Sequence, residues 1–257
     1  METLSTQNSR GLSGNALKVI AIIAMTIDHL TSVVFPGYGG NGWLLPLHII
    51  GRLTAPIMCY LIAEGYYYTR DVKKYTLRLF LLAIISHFAY NFCFGIPFIP
   101  FKTGIFNQTS VIWPYAWALV ALQVERCDDP RLKGWMKFLI IALISVITFP
   151  SDWSCIAMLV IMAFVHHRGD FKRQMIEMMI YVSFYALVYC IFVDLRHGLI
   201  QLFVILAAIP LSQYNGTRGK WKGMKWFFYF YYPAHLFLLG LLRLALHGNI
   251  GVIVGGA

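Results

Sequence analysis

The sequence predicts an all-α polytopic membrane protein, and three observations carry that expectation. Of its 257 residues, 59% are hydrophobic and only 12% are charged, against about 25% charged residues in an ordinary soluble domain. The mean hydropathy is +0.66, more apolar surface than a globule of this size hides from water. The apolar residues also gather into nine runs, the pattern of repeated helices that each need about 20 mostly apolar residues to cross a bilayer.

The first run, 17–35, follows a polar start at 1–15. No small-residue cleavage site follows within reach, so the run is expected to be a retained helix and not a signal peptide. The other runs are 44–68, 75–94, 109–124, 136–149, 153–166, 171–193, 198–214 and 225–247. The fifth and sixth are short and joined by Pro150, Ser151 and Asp152; they are either two spans or one re-entrant hairpin, and both choices leave the sidedness of the remainder unchanged. Trp43, Trp113, Trp153 and Trp226 lie near run ends, as interfacial aromatics do. With no internal repeat, linker or low-complexity stretch, the chain reads as one domain over 1–257.

A net charge of +10 would suit a nucleic-acid binder if it formed a basic face or tail. Its distribution excludes that reading. Counting Lys and Arg on alternate sides of the runs puts 17 of the 21 on one side. Basic residues stay cytoplasmic, so the N-terminus is expected in the cytoplasm and the C-terminus outside it.

An ionisable side chain within a span costs about 2.5–3.5 kcal/mol on insertion scales and is a functional candidate by default. The candidates are Asp28, His29, Arg52, Glu64, His87 and His235, with Lys18 at the cytoplasmic edge of the first run. At 1.5 Å per residue, His29, Arg52 and His87 lie about 9, 12 and 10 Å from the outer ends of their runs, so with Asp28 they can share one layer. An Asp28–Arg52 ion pair joining two helices, with His87 as a hydrogen-bonded core histidine, is the structural reading of that layer. For His29 the functional reading is stronger, because a histidine serves as base or acyl acceptor near neutral pH and helix packing has no special need of one.

Lys18 and His29 are eleven residues apart, which returns to nearly the same helix face some 16 Å along the axis. A cation at the mouth and an imidazole deep inside suit a long anionic donor such as coenzyme A, with phosphates at one end and a thioester at the other. Taken alone, Lys18 reads equally well as a snorkelling flank residue. Five dispersed cysteines have no metal-ligand or redox spacing, and no metal is expected. The stretch from Gly37 to Gly42 spells GxGxxG without a preceding strand, so no dinucleotide site is expected there. His166 and His167 sit at a span end as solvated residues; Asp152 and Asp194 are boundary residues, with Asp152 also a candidate to bind an acceptor amine. Glu64, beside Gly65, is either a packed carboxyl group or part of the donor mouth.

The segments that carry a family resemblance run in order along nearly the whole chain. They are Leu17-Lys18 through Met25-Thr26-Ile27-Asp28-His29, then Ile50-Gly51-Arg52-Leu53 with Pro56, then Leu61 through Arg70, then Gln201, Pro210 and Tyr214-Asn215-Gly216 with Arg218-Gly219. Lys225 through Tyr229 and Tyr232-Pro233-Ala234-His235-Leu236 complete the set. In these segments the chain resembles the F-pilin acetylase TraX family, within the wider group of transmembrane acyltransferases, and Lys18 to His29 is similar to that group's basic-residue-to-histidine spacing. His87 departs from the family pattern, which is usually acidic at this position.

The resemblance implies a multi-pass enzyme of the bacterial inner membrane that moves acetyl from cytoplasmic acetyl-CoA to an amine, the pilin N-terminus or another peptide or amino-sugar amine. His29, Asp28 and Arg52 are the implied catalytic residues, with Arg52 either holding Asp28 or stabilising an oxyanion. Lys18, Arg70, Asn215, Arg218, Lys225, Tyr232 and His235 are the implied donor-binding residues. The expected partners are acetyl-CoA, an amine acceptor and lipid, with no nucleic acid. The rival expectations are a small proton-coupled transporter using Asp28, His29 and Arg52 as a relay, against which no paired interrupted spans in two similar halves are visible, and a non-catalytic pilus or envelope assembly factor.

Overall fold

The computed structural model describes residues 11–37 and 42–252, with the side chain of Lys225 outside that description. Tyr38 to Asn41, most of the GxGxxG stretch, also lie outside the described residues. Helices occupy the positions of all nine apolar runs: α1 (Gly14–Val34), α2 (Leu45–Gly51) with α3 (Thr54–Tyr68), α4 (Val72–Phe94), α5 (Ile112–Glu125), α6 (Gly134–Thr148), α7 (Ile156–His166), α8 (Phe171–Phe192), α9 (Leu195–Gln201) with α10 (Ala208–Ser212), and α11 (Met224–His247). Side-chain caps set several of the starts. Ser13, Asp71, Asp170 and Asp194 each accept from a backbone N–H three residues on, satisfying a donor that the first turn leaves without a partner.

Six helical stretches are long and apolar enough to cross a membrane: Gly14–Val34, Gly42–Tyr68, Val72–Phe94, Phe171–Phe192, Leu195–Ser212 and Trp226–His247. Of the nine expected crossings, six have helical stretches long and apolar enough to cross by themselves. Helices α5, α6 and α7 have 14, 15 and 11 residues. The case of α7 explains the difference. It is buried on nearly every side from Ile156 to Val165, and at about 16 Å it covers half of a bilayer core of about 30 Å. A helix apolar all round is a buried one, and here its surroundings are protein. Helix α6 is the converse, fully burying only Ile144 and Thr148, with Ile140 and Ile141 partly packed on the core and Trp135, Phe138, Leu139, Leu143 and Val146 exposed.

The turn between α6 and α7 is tied to the segment before α5, with Gln108 N–H donating to Pro150 O at 2.7 Å and Asp152 N–H to Thr109 O at 2.8 Å. Asn107, Gln108, Ser110, Ser151 and Ser154 are all buried in this region. Non-helical backbone within an apolar bundle is tolerated where protein surrounds it and pairs its polar groups.

Helix α1 packs on α2, α3 and α11, and α4 joins α11 to α5. The second stretch breaks at Arg52 and Leu53, between α2 and α3. A Cβ placed on Gly51 would run into the side chain of Asp28, so glycine there lets α2 approach α1 closely enough for the next residue, Arg52, to reach Asp28.

A two-chambered candidate active site

Asp28 is the centre of the inner part of the site. One carboxylate oxygen pairs with the Arg52 guanidinium, and the other lies 2.9 Å from His48 Nδ1. Arg52 is itself held on every side: Nη1 donates to Gln201 Oε1 at 3.0 Å and Nε to the His48 carbonyl at 3.2 Å. His48, Arg52 and Gln201 are all less than one-tenth exposed. A buried ion pair of this kind is stable because its remaining donors and acceptors are also satisfied. With Nε, Nη1 and Nη2 committed to the protein, Arg52 orients Asp28 and its helix.

His29, the next residue, turns to α11. Its Nδ1 is 3.0 Å from Nε2 of His235, and the two rings are 4° from parallel. Nδ1 of His235 lies 3.0 Å from the Tyr231 carbonyl oxygen. A carbonyl only accepts, so His235 Nδ1 carries its ring's proton. In a neutral imidazole the other nitrogen is then an acceptor, which makes His29 Nδ1 the donor. The chain of bonds therefore leaves the lone pair of His29 on Nε2. One turn away, Thr26 Oγ1 and Tyr231 Oη are 2.7 Å apart, so two polar contacts lock the α1–α11 seam.

His29 borders a cavity of about 80 Å³, together with Asp28, Arg52, Tyr90, Tyr115 and Asp152 among others. A second, wider chamber of about 500 Å³ lies toward the Lys18 end of α1 and is bordered by Lys18, Glu64, Tyr68, Arg78 and Arg218. Tyr115 borders both chambers. Glu64 is paired with Arg168, which donates from Nε at 2.8 Å and lies 3.6 Å from the centre of the Tyr67 ring. That carboxylate raises the pKa of Arg168. With Glu64 neutralised, the three cations Lys18, Arg78 and Arg218 give the wide chamber a positive balance.

The expected catalytic residues thus come together, and the expected donor residues divide. Lys18 and Arg218 border the wide chamber. Tyr232 borders the inner cavity, and His235 belongs to the His29 hydrogen-bond chain. Asn215 shapes the loop instead, its Oδ1 accepting from Thr217 N–H at 3.0 Å and Thr217 Oγ1 at 2.7 Å. Arg70 is exposed past the end of α3 and does not border the chamber. Lys225 lies in the first turn of α11, its side chain outside the described residues. His87 leaves the reaction layer: it bonds Thr109 Oγ1 at 3.0 Å and the Phe98 carbonyl at 2.8 Å, a tie between α4 and the following loop. His166 and His167 are not simply solvated, since they pair with Glu125 and Glu177.

Sequence reasoning missed His48, Arg78 and Gln201 as parts of the site. His48 had a signal, since it lies four residues before Arg52 on one helical face. Gln201 stood among the resembling segments without an assigned role. Among the described residues no group of three or more His, Cys, Asp or Glu is arranged to hold a metal ion.

Six crossing-length helical stretches around a buried carboxylate–arginine pair, a histidine pair and two chambers that share Tyr115 define a multi-pass membrane protein with an internal polar site. The chain belongs to the TraX family, whose sequence model, described as TraX protein, matches residues 13–243. It is 29% identical over 231 residues to the probable fimbrial assembly protein FimC, serogroup H1, of Dichelobacter nodosus, covering 87% of this chain and 92% of that protein. No solved structure matches the chain. A family of apolar helical spans belongs to the inner membrane, since outer-membrane proteins span as closed barrels.

Proposed function

We propose that the chain is an acetyl-CoA-dependent N-acetyltransferase that works within the membrane. The observation that carries this reading is the pairing of His29, with its Nε2 lone pair, to a positively balanced chamber that shares Tyr115 with the His29 cavity. The Lys18 end faces the cytoplasm, in keeping with the basic residues gathered on that side. Phosphates of coenzyme A lie among Lys18, Arg78 and Arg218, and the pantetheine arm runs past Tyr115 to bring the thioester to His29.

The acceptor amine loses a proton to His29 Nε2 and attacks the thioester carbonyl carbon, forming the C–N bond while the carbonyl pair moves onto oxygen. Collapse of that oxyanion restores the carbonyl, breaks the C–S bond and releases the coenzyme A thiolate, which takes the proton back from His29. Asp28, held by Arg52 and His48, fixes the helix register that presents His29 as the base. The naming of a relative as a fimbrial assembly protein supports a pilus or fimbrial subunit as one candidate acceptor.

The test uses the purified full chain in nanodiscs with labelled acetyl-CoA and primary amines, a peptide N-terminus and an amino sugar. Label transfer with release of one coenzyme A per acetyl, abolished by His29→Ala, is expected. No transfer to any amine, or full activity in H29A, overturns the reading. Coenzyme A is also expected to raise the melting temperature, which a permease for unrelated solutes would not do.

A further inference from the structure

We propose that Asp152 is the residue that recognises the acceptor, by holding its protonated amine in the inner cavity. The inference rests on the acetyltransferase reading and adds the part of the site that selects an amine over a neutral nucleophile.

The charges around the cavity lead to it. Asp28 is cancelled by Arg52 and hydrogen-bonded by His48. His29 is one ring of a hydrogen-bonded pair in which each neutral ring carries one proton. Asp152 borders the same cavity and has no ion-pair partner among the described residues; its carboxylate lies by the backbone N–H of Trp153. The inner cavity therefore holds one half-buried carboxylate that feels the nearby Arg52 charge but has no ion-pair partner of its own among the described residues, and a carboxylate so placed favours a counter-charge.

The walls favour a cation as that counter-charge. Tyr90, Phe94, Tyr115, Trp153 and Tyr232 border the cavity, and aromatic faces attract ammonium groups. Tyr90 and Tyr115 are each 1% exposed, and their hydroxyl groups have no hydrogen-bond partner among the described residues. The Cys59 thiol beside Tyr115 is a weak partner, already directed to the Ala157 carbonyl. A protonated primary amine has three N–H donors, which one carboxylate and phenol oxygens can accept.

The backbone supports the same assignment. Trp153 and Ser154 are consecutive non-glycine residues with φ of 63° and 51°, a left-handed conformation rarely adopted by such residues. The Asp152 N–H bond to Thr109 O anchors the turn where it presents Asp152 to the cavity. Strain kept in a buried turn beside a polar cavity is the kind that persists when the position has a task. The chemistry is consistent: the ammonium sits on Asp152, loses one proton to solvent, and attacks the thioester as the free amine while its second proton passes to His29 Nε2, from which the departing coenzyme A thiolate takes it. An alcohol brings no charge and gains nothing from Asp152.

The test compares the unsubstituted chain with Asp152→Asn and Asp152→Glu in nanodiscs, using labelled acetyl-CoA and whichever of the peptide amine or the amino sugar the unsubstituted chain acetylates. Asp152→Asn is expected to raise the KM for the amine about tenfold or more, with kcat at saturation and the acetyl-CoA KM within about threefold; Asp152→Glu, which keeps the charge, is expected to restore much of the lost affinity. An unchanged amine KM in D152N overturns the inference while leaving the acetyltransferase reading intact. Should D152N not fold, as judged by loss of stabilisation by coenzyme A, the unsubstituted chain decides: n-butylammonium is expected to compete with the acceptor and 1-butanol is not. Equal inhibition by the two, or none by the ammonium, overturns it. Absence of transfer by the unsubstituted chain removes the acetyltransferase reading itself, and this inference falls with it.

Discussion

His29 and His235 meet across α1 and α11 with Nδ1 of one 3.0 Å from Nε2 of the other. Because the second ring is pinned by the Tyr231 carbonyl, the contact sets which nitrogen of His29 bears the lone pair. A single isolated histidine would divide its proton between two nitrogens, and only one of those tautomers can take a proton at Nε2.

The first prediction concerns that contact. His235→Ala removes the acceptor for His29 Nδ1–H and frees the tautomer, so kcat is expected to fall about 10- to 100-fold, a share of what acid–base catalysis contributes, with the acetyl-CoA KM little changed. His235→Gln, whose carbonyl oxygen can accept from His29, is expected to recover part of the loss. Steady-state kinetics checks both; equal kcat in the alanine and unsubstituted proteins would refute the role of His235 in positioning the proton.

A second prediction follows from the Asp28–Arg52 pair. Removing one member leaves a buried charge without its partner, so Asp28→Asn or Arg52→Met is expected to destabilise the fold by about 3–5 kcal/mol. The double substitution is expected to cost less than the two singles added together, because neither charge then remains. Arg52→Lys is also expected to destabilise, since an ammonium cannot reach Asp28, Gln201 and the His48 carbonyl in one planar fork. Chemical denaturation in detergent, read as a double-mutant cycle, measures the coupling.

Gly51→Ala gives a steric test. The added methyl group would occupy space held by the Asp28 side chain, and forced overpacking costs about 1–3 kcal/mol. Loss of stability together with loss of transfer is expected, whereas an alanine at Gly42, where a Cβ meets nothing within 4 Å among the described residues, is expected to do neither. A thermal melt of the two variants separates them.

The wide chamber yields the last prediction. Lys18→Ala, Arg78→Ala and Arg218→Ala are each expected to raise the acetyl-CoA KM about 3- to 10-fold while kcat stays within about twofold, because a lost phosphate contact weakens ground state and transition state alike. Arg70→Ala, at an exposed position outside the chamber, is expected to leave KM unchanged. Raising the salt concentration should lift the KM of the unsubstituted protein more than that of the triple variant.

The sequence by itself determined that the solvent is lipid, where helices fall, and which ionisable side chains lie within them. Apolar runs must form helices in a bilayer because no water is there to take the backbone groups, and an ionisable residue in such a run must find a partner. Asp28, His29 and Arg52 could therefore be named from pattern, and the eleven-residue step from Lys18 to His29 follows from the helical period alone. Hydropathy could not separate lipid from protein as the surroundings of an apolar helix, which is why α7 reads as a span and folds as an 11-residue buried core.

Only the tertiary structure decided the partners. His29 and His235 are separated by 206 residues in sequence, and Arg52 and Gln201 by 149; no local period encodes contacts of that reach. His87 lies in a span at nearly the depth of His29, yet it faces the loop at Phe98 because α4 packs on α5 and α11. Depth along a helix is written in the sequence, but the direction a side chain faces depends on which helices pack beside it, and that direction puts Asp152 on the wall of the cavity that His29 borders.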